Sequence, residues 1–381
     1  MEKGQSRSTA LVEPAELEAW LILSSLPGVG DQRIAVLVQR LGGPREVIEA
    51  TPRVIASILG QEEPRVVRAM RDAKDRQMAK QVETLREGDY RLYTIWNTDY
   101  PAGLRNIPSP PVLLYARGAF RPDDQRAVAI VGSRAATEYG KTVAYDLSRA
   151  LAEVGLVVVS GLARGIDSYA HRAALDAGGR TVAVLGNGPD TAYPPENRKL
   201  MQEIADHGVV VSEFPPLTPP NPKHFPRRNR IIAALSMGVI VVQARETSGA
   251  LITAQHALEQ GKEVMAVPGP INARTSKGPH GLIKQGAALV EDLDDVLAAL
   301  GEPLPARGPR ASGGVVAKLD DDEEELVREL GTDPVHIDAL CARTGQPSGQ
   351  LLARLLQLEL KGAVKQLAGK QFLALVQFED G

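Results

Sequence analysis

The runs Val128-Ala-Ile-Val131, Leu156-Val-Val-Val159, Thr181-Val-Ala-Val-Leu185, Val209-Val-Val211, Val239-Ile-Val-Val242 and Glu263-Val-Met-Ala-Val267 constrain the fold more than any other feature of the chain. Each is short, rich in β-branched residues and free of polar alternation. A strand with one wet face alternates; a strand buried on both faces does not, and that is the situation inside a parallel sheet covered by helices. Helical patterns fit between the runs, over 139–154, 167–177 and 249–260. Strands alternating with helices predict an α/β domain with an extended Rossmann-like, doubly wound, mostly parallel sheet.

The flanks differ in character. Leu17, Trp20, Leu21, Leu23 and Leu26 are spaced for one apolar helix face, and Ile34, Leu37, Val38 and Leu41 for another. The Leu26-Pro-Gly-Val-Gly30 turn between them resembles a helix-hairpin-helix, whose glycines let N–H groups approach a phosphate. A plain helical hairpin packed on a neighbour explains the same residues. A charged helix over 62–87 reads as a connector, and Asn97 to Pro101, Ile107 to Pro111 and Leu113 to Gly118 as a proline-rich lead-in. Gly301 to Gly314 has no periodicity and is expected to be a linker. Helical patterns over His336 to Arg343 and Ser348 to Lys361, then a hairpin from Val364, predict a small winged helix. The expected division is a helical part of sterile-alpha-motif or helix-hairpin-helix kind at 1–88, the Rossmann-like domain at 89–300, a linker at 301–317 and a winged-helix-like domain at 318–381.

Composition narrows the chemistry. The 44 Lys and Arg nearly balance 47 Asp and Glu, a net charge of −3, so binding to a polyanion must rest on a local patch. One cysteine, Cys341, excludes an intramolecular disulfide framework. With no apolar N-terminal segment and no run long enough to span a membrane, the expected location is the cytoplasm.

The patch is Asn221-Pro-Lys-His-Phe-Pro-Arg-Arg-Asn-Arg230, where Lys223, Arg227, Arg228 and Arg230 surround Phe225 with no acid among them. The prolines should hold this part outside a helix that begins near Ile231. Arginine forks suit phosphate and an aromatic face accepts any base, a combination fitted to single-stranded nucleic acid. A solvated loop whose arginines pair with nearby acids is the simpler alternative.

Ligands of open α/β sheets bind beyond the carboxyl ends of the strands. There stand Gly132-Ser133-Arg134 and Ser160-Gly161-Leu-Ala-Arg164-Gly165-Ile-Asp167, whose glycines would admit a phosphate to main-chain N–H groups. Loops from Gly186, Thr247 and Ser276 are expected on the same rim. Arg164, Lys223 and Arg230 join the site on charge alone. No Walker loop or Gly-x-Gly-x-x-Gly occurs, which removes support for ATP or a dinucleotide, and no cofactor is expected. The six histidines form no His-x-x-x-His or His-Glu-x-x-His pattern, and no Gly-x-Ser-x-Gly elbow is present. Asp167, Asp190 and Glu213 could hold Mg²⁺ in principle, with capping or turn roles favoured. No catalytic or metal residue is assigned.

Taken in order, Gly132-Ser-Arg134, Ser160 to Asp167, Gly186-Asn-Gly-Pro-Asp190 with Tyr193-Pro-Pro-Glu-Asn197, Phe225-Pro-Arg-Arg-Asn-Arg-Ile-Ile-Ala233, Ser248-Gly-Ala-Leu-Ile-Thr-Ala254 and Ala266-Val-Pro-Gly269 resemble the successive motifs of the DNA-processing protein A (DprA/Smf) family. Pro189 and Gln243 depart from the pattern, where a larger apolar residue and an acid are expected. The resemblance implies a homodimeric, non-catalytic protein that binds single-stranded DNA and helps load the RecA recombinase in natural transformation, without a membrane partner. It implies that Gly132, Ser133, Arg134 and Gly161 hold phosphates, that Phe225 stacks a base, and that Arg228 and Asn229 complete the pocket. Duplex DNA or a protein is the implied partner of the winged helix. The alternative is a nucleoside-monophosphate phosphoribohydrolase-like enzyme on the same scaffold; such enzymes carry glutamates after a Pro-Gly-Gly-x-Gly-Thr loop, whereas 247–258 here contains no acid.

Overall fold

The computed structural model describes residues 14–26, 29–60, 78–303, 319–330, 335–361, 363–367 and 369–374. The chain divides into two compact units, Met1–Leu304 and Pro305–Gly381. In the first, the strands are β1 (Arg91–Thr94), β2 (Leu113–Gly118), β3 (Ala127–Val131), β4 (Val157–Ser160), β5 (Thr181–Leu185), β6 (Val209–Ser212), β7 (Gly238–Val241), β8 (Glu263–Ala266) and β9 (Ala288–Leu289). They form one nine-stranded sheet in the order β1-β2-β6-β5-β4-β3-β7-β8-β9. The apolar runs read from the sequence are β3 to β8, and these pair in parallel.

Successive residues of β3 show why polar alternation is missing. Ala127, Ala129 and Val131 face a layer containing Ile231, Ile232, Ala250 and Ala254. Val128 and Ile130 face Leu147, Leu151, Ile166 and Ala170 on the other side. Helices His224–Ala234 and Gly249–Glu259 supply the first layer, Glu138–Glu153 and Ile166–Asp176 the second.

The sequence reading did not assign two strands, β1 just before the proline-rich lead-in and β2 within it. β2 lies antiparallel to both β1 and β6, with Tyr115 opposite Leu92 and Ala116 opposite Val211. Its Leu113 and Tyr115 enter a core with Leu17, Trp20, Leu21, Leu37 and Ile55 of the N-terminal helices. Those helices and the sheet therefore share one compact unit, and packing is continuous across residue 88. Pro27 and Gly28 of the suspected hairpin turn, most of the connector at 62–77 and the linker beyond residue 303 lie outside the described residues.

The second unit has helices Asp321–Leu330, Ile337–Thr344 and Ser348–Leu360, with β10 (Val335–His336), β11 (Val364–Leu367) and β12 (Gln371–Ala374) in the order β10-β12-β11. Leu326, Leu340, Leu351, Leu355 and Phe372 form its core, and half-buried Cys341 packs against it. This is a winged helix.

In the sheet, the chain proceeds from β3 through β4 and β5 to β6 on one side, then passes to β7, β8 and β9 on the other. The reversal leaves a crevice beyond the carboxyl ends of β3 and β7, the place where such sheets bind ligands.

Candidate nucleic-acid interface

A cavity of about 580 Å³ occupies that crevice. The turn after β3 supplies Gly132, Ser133 and Arg134; the turn after β7 supplies Arg245 and Thr247 to Ala250; the helix His224–Ala234 supplies Phe225, Arg228 and Asn229. That helix starts well before the expected Ile231, with Lys223 at its N-cap. Pro226 falls in the first turn, where the missing N–H removes no helical hydrogen bond. At 3.6 residues per turn, Phe225 and Asn229 share one side while Arg227 lies opposite Phe225. Early initiation of the helix thus divides the basic cluster between two surfaces.

On the cavity side, the exposed Arg134 guanidinium carbon lies 5.1 Å from the centre of the Phe225 ring, a cation–π contact. Tyr193, from the loop after β5, stacks on the same ring with centroids 5.4 Å apart and planes at 29°. Lys223 is exposed beside Pro222, a lining residue, without lining the cavity itself.

Arg228 behaves differently: it is only 4% exposed. Its guanidinium donates to the carbonyls of Gly161, at 2.9 Å, and Val184. Burial pulls its pKa down to about 10, opposed by Asp167, so it stays cationic at neutral pH. A Cβ on Gly161 would run into that guanidinium. Asp167 accepts from the N–H groups of Gly161 and Ala163 at 3.2 and 3.3 Å. Burial raises its pKa, while Arg228 and those N–H groups pull it back toward the carboxylate. Arg228 and Asp167 act as internal counter-charges that fold the β4 turn onto the helix.

This arrangement corrects several expectations. Gly161 does not offer its N–H to a phosphate, because Asp167 already takes it. Ser160 is fully buried and donates to the Ile130 carbonyl at 2.6 Å, away from any rim. Arg230 faces away from the cavity, bonded to Glu213 at 2.6 Å and the Ser109 carbonyl at 2.7 Å. Arg227 bridges Glu213 and Asp31, at 2.9 and 3.2 Å, tying the helix to the N-terminal part. Arg164 lines a smaller adjoining pocket but is paired with Glu196. Gly165, at φ +73°, serves the close approach of its turn to the Ser133 carbonyl. The Ser276 to Ile283 segment is not among the lining residues. Asp190 holds the turn at Leu217 N–H, 2.9 Å away, and Glu213 is an ion-pair acceptor. Among the described residues no cluster of three or more His, Cys, Asp or Glu is arranged to hold a metal ion. Gly132, Ser133, Arg134, Phe225, Arg228 and Asn229 do meet at one cavity.

Residues 91–301 match the family model for DNA recombination-mediator protein A. The chain belongs to the DNA recombination-mediator protein A family. Residues 311–370 match the model of the DprA winged helix domain. A putative DNA processing protein DprA of Mycobacterium tuberculosis is 38% identical, over 92% of this chain and 92% of its own. The solved structure of DNA processing protein A from Streptococcus pneumoniae has a TM-score of 0.64 at 37% identity, covering 75% of this chain and 98% of that one. That of DNA processing protein A from Helicobacter pylori, reported for its single-stranded DNA binding mode, has a TM-score of 0.50 at 32% identity, covering 55% of this chain and 95% of that one.

In this member of the recombination-mediator family, sequence reasoning put the loop of Tyr193 on the rim without giving the residue a role, and it passed over Arg245, which also lines the cavity. Arg245 follows β7 as Arg134 follows β3, and that parallel was available in the sequence. The departure at Gln243 has a structural use. Its Oε1 accepts from Thr137 N–H at 3.1 Å and its Nε2 donates to Thr137 Oγ1 at 2.8 Å, bracing the start of helix Glu138–Glu153. A carboxylate could accept but not donate.

Proposed function

We propose that this family member binds single-stranded DNA along the cavity at the switch point and, as a homodimer, loads the RecA recombinase onto that strand in natural transformation, acting as a mediator and not as an enzyme. The observation that carries the proposal is the Arg134 guanidinium 5.1 Å from the centre of Phe225, within a cavity that the exposed Arg245 also lines. Phosphates are met by charge and bases by aromatic faces, with no need for sequence readout. The binding mode named for the Helicobacter pylori relative supports the same ligand. RecA and the dimer rest on the family resemblance. A cytoplasmic location goes with this reading; no described helix is long and apolar enough to cross a membrane.

In the winged helix, Arg354 is bonded to Gln346 and the Asp322 carbonyl, which leaves its Ser348–Leu360 helix little charge for groove reading. A protein partner fits that unit better than duplex DNA. A nucleoside-monophosphate hydrolase would need a free carboxylate at the cavity; Asp167, the sole acid among the described lining residues, has two N–H groups on its Oδ2.

Fluorescence anisotropy with single-stranded DNA, duplex DNA and AMP as competitor tests the proposal. Tight single-strand binding, weak duplex binding, no competition by AMP and no release of adenine are expected. Equal affinity for duplex, or turnover of AMP, contradicts it.

A further inference from the structure

The aromatic platform has two layers, and the inner one is largely occupied. Phe225 already carries the Arg134 guanidinium and the Tyr193 ring. A Cβ on Gly186 would lie 2.8 Å from its Cδ1, so the ring is also seated against backbone. Tyr193 is the outer member. It is 40% exposed and lines both the main cavity and the adjoining pocket.

The loop that carries Tyr193 is braced on both sides. Buried Asn187 donates to the Thr191 carbonyl at 2.6 Å. The Asn197 amide donates to the Leu162 carbonyl at 2.8 Å and to Ser168 Oγ at 2.9 Å. Between these anchors Pro194 and Pro195 restrict the backbone further. Holding a large ring in water on a rigid loop gains little packing, but it prepares a flat apolar face at low entropic cost for a ligand that stacks.

We infer that Tyr193 is the surface on which an unpaired base of the bound strand stacks, with Phe225 as the supporting layer behind it and Arg134 at that layer's face. This rests on the single-strand reading of the cavity and assigns the stacking role that the sequence had given to Phe225.

The test uses the full chain and a labelled thymidine oligonucleotide, with a second strand carrying 5-iododeoxyuridine for photocrosslinking. Tyr193→Leu should weaken binding by about 5- to 150-fold, the range that corresponds to the loss of one stacked base, whereas Tyr193→Phe and Tyr193→Trp retain it. The crosslink should map to the peptide containing Tyr193. Arg134→Ala, measured in parallel, reports on the cavity itself. If wild type binds single strands and Arg134→Ala does not, yet Tyr193→Leu binds like wild type, or Tyr193→Trp fails as Tyr193→Leu does, or the adduct falls on Phe225 alone, the Tyr193 assignment is overturned and the cavity reading stands. If wild type does not bind single strands, both fall together.

Discussion

The guanidinium of Arg228 lies 2.9 Å from the carbonyl oxygen of Gly161, inside the protein and not on its rim. A residue that charge alone would assign to DNA is thus a structural pin between the helix His224–Ala234 and the turn after β4. Arg228→Met should lower stability by roughly 1–3 kcal/mol for each buried carbonyl left without a donor. The midpoint of urea unfolding reports this; an unchanged midpoint would show that the carbonyls find other partners.

Arg134 has the opposite profile. Because it is exposed, Arg134→Ala should change stability by no more than about 0.5 kcal/mol. It should lower single-strand affinity and reduce the slope of log K against log salt by about 1, the mark of one lost phosphate contact. Titrations at several salt concentrations read both quantities, and an unaltered slope would remove Arg134 from the phosphate path.

His171 gives a pH dependence of definite sign. Thr181 Oγ1 donates to the Val158 carbonyl at 2.7 Å, so the 2.6 Å contact with His171 Nδ1 makes Nδ1 the donor. Its Nε2 is then a buried lone pair with no partner. Burial, reinforced by Arg228, lowers the pKa to about 3. Between about pH 6.5 and 3 the unfolded chain holds a proton here that the folded chain does not. This contribution is therefore complete above pH 6.5 and lost as pH falls, at up to ~1.4 kcal/mol per unit. His171→Asn should flatten the acid side of the stability curve by that slope, and coincident curves would mean that His171 charges in place.

Ser160→Ala should cost about 1 kcal/mol, the net worth of its buried hydrogen bond to Ile130, and leave single-strand affinity as it was. A selective loss of affinity at unchanged thermal midpoint would return Ser160 to the binding surface.

The parallel strands were legible because β3 to β8, apart from the exposed Glu263, are buried on both faces and so are rich in Val and Ile without polar alternation. β2 was not, because Pro110 and Pro111 precede it and its antiparallel partner β1 is short. At the site, Gly132, Ser133, Arg134 and Phe225, which the motifs singled out, line one cavity. What the sequence could not show was which cations were already paired. The local run 221–230 holds no acid, yet Glu213 comes from the end of β6 and Asp31 from an N-terminal helix to neutralise Arg227 and Arg230. Tyr193 stood in a quoted motif and an expected rim loop, but its role was not legible, because that depends on stacking with a ring 32 positions further along the chain.

The affinity of single-stranded DNA for Arg134→Ala beside that for Arg230→Ala tests the switch-point cavity most directly. The two residues carry the same charge, one over Phe225 in the cavity and one bonded to Glu213 on the opposite side of the helix. The account predicts a large loss for Arg134→Ala and near wild-type binding for Arg230→Ala. Loss with Arg230→Ala and full binding by Arg134→Ala would place the strand on the other face.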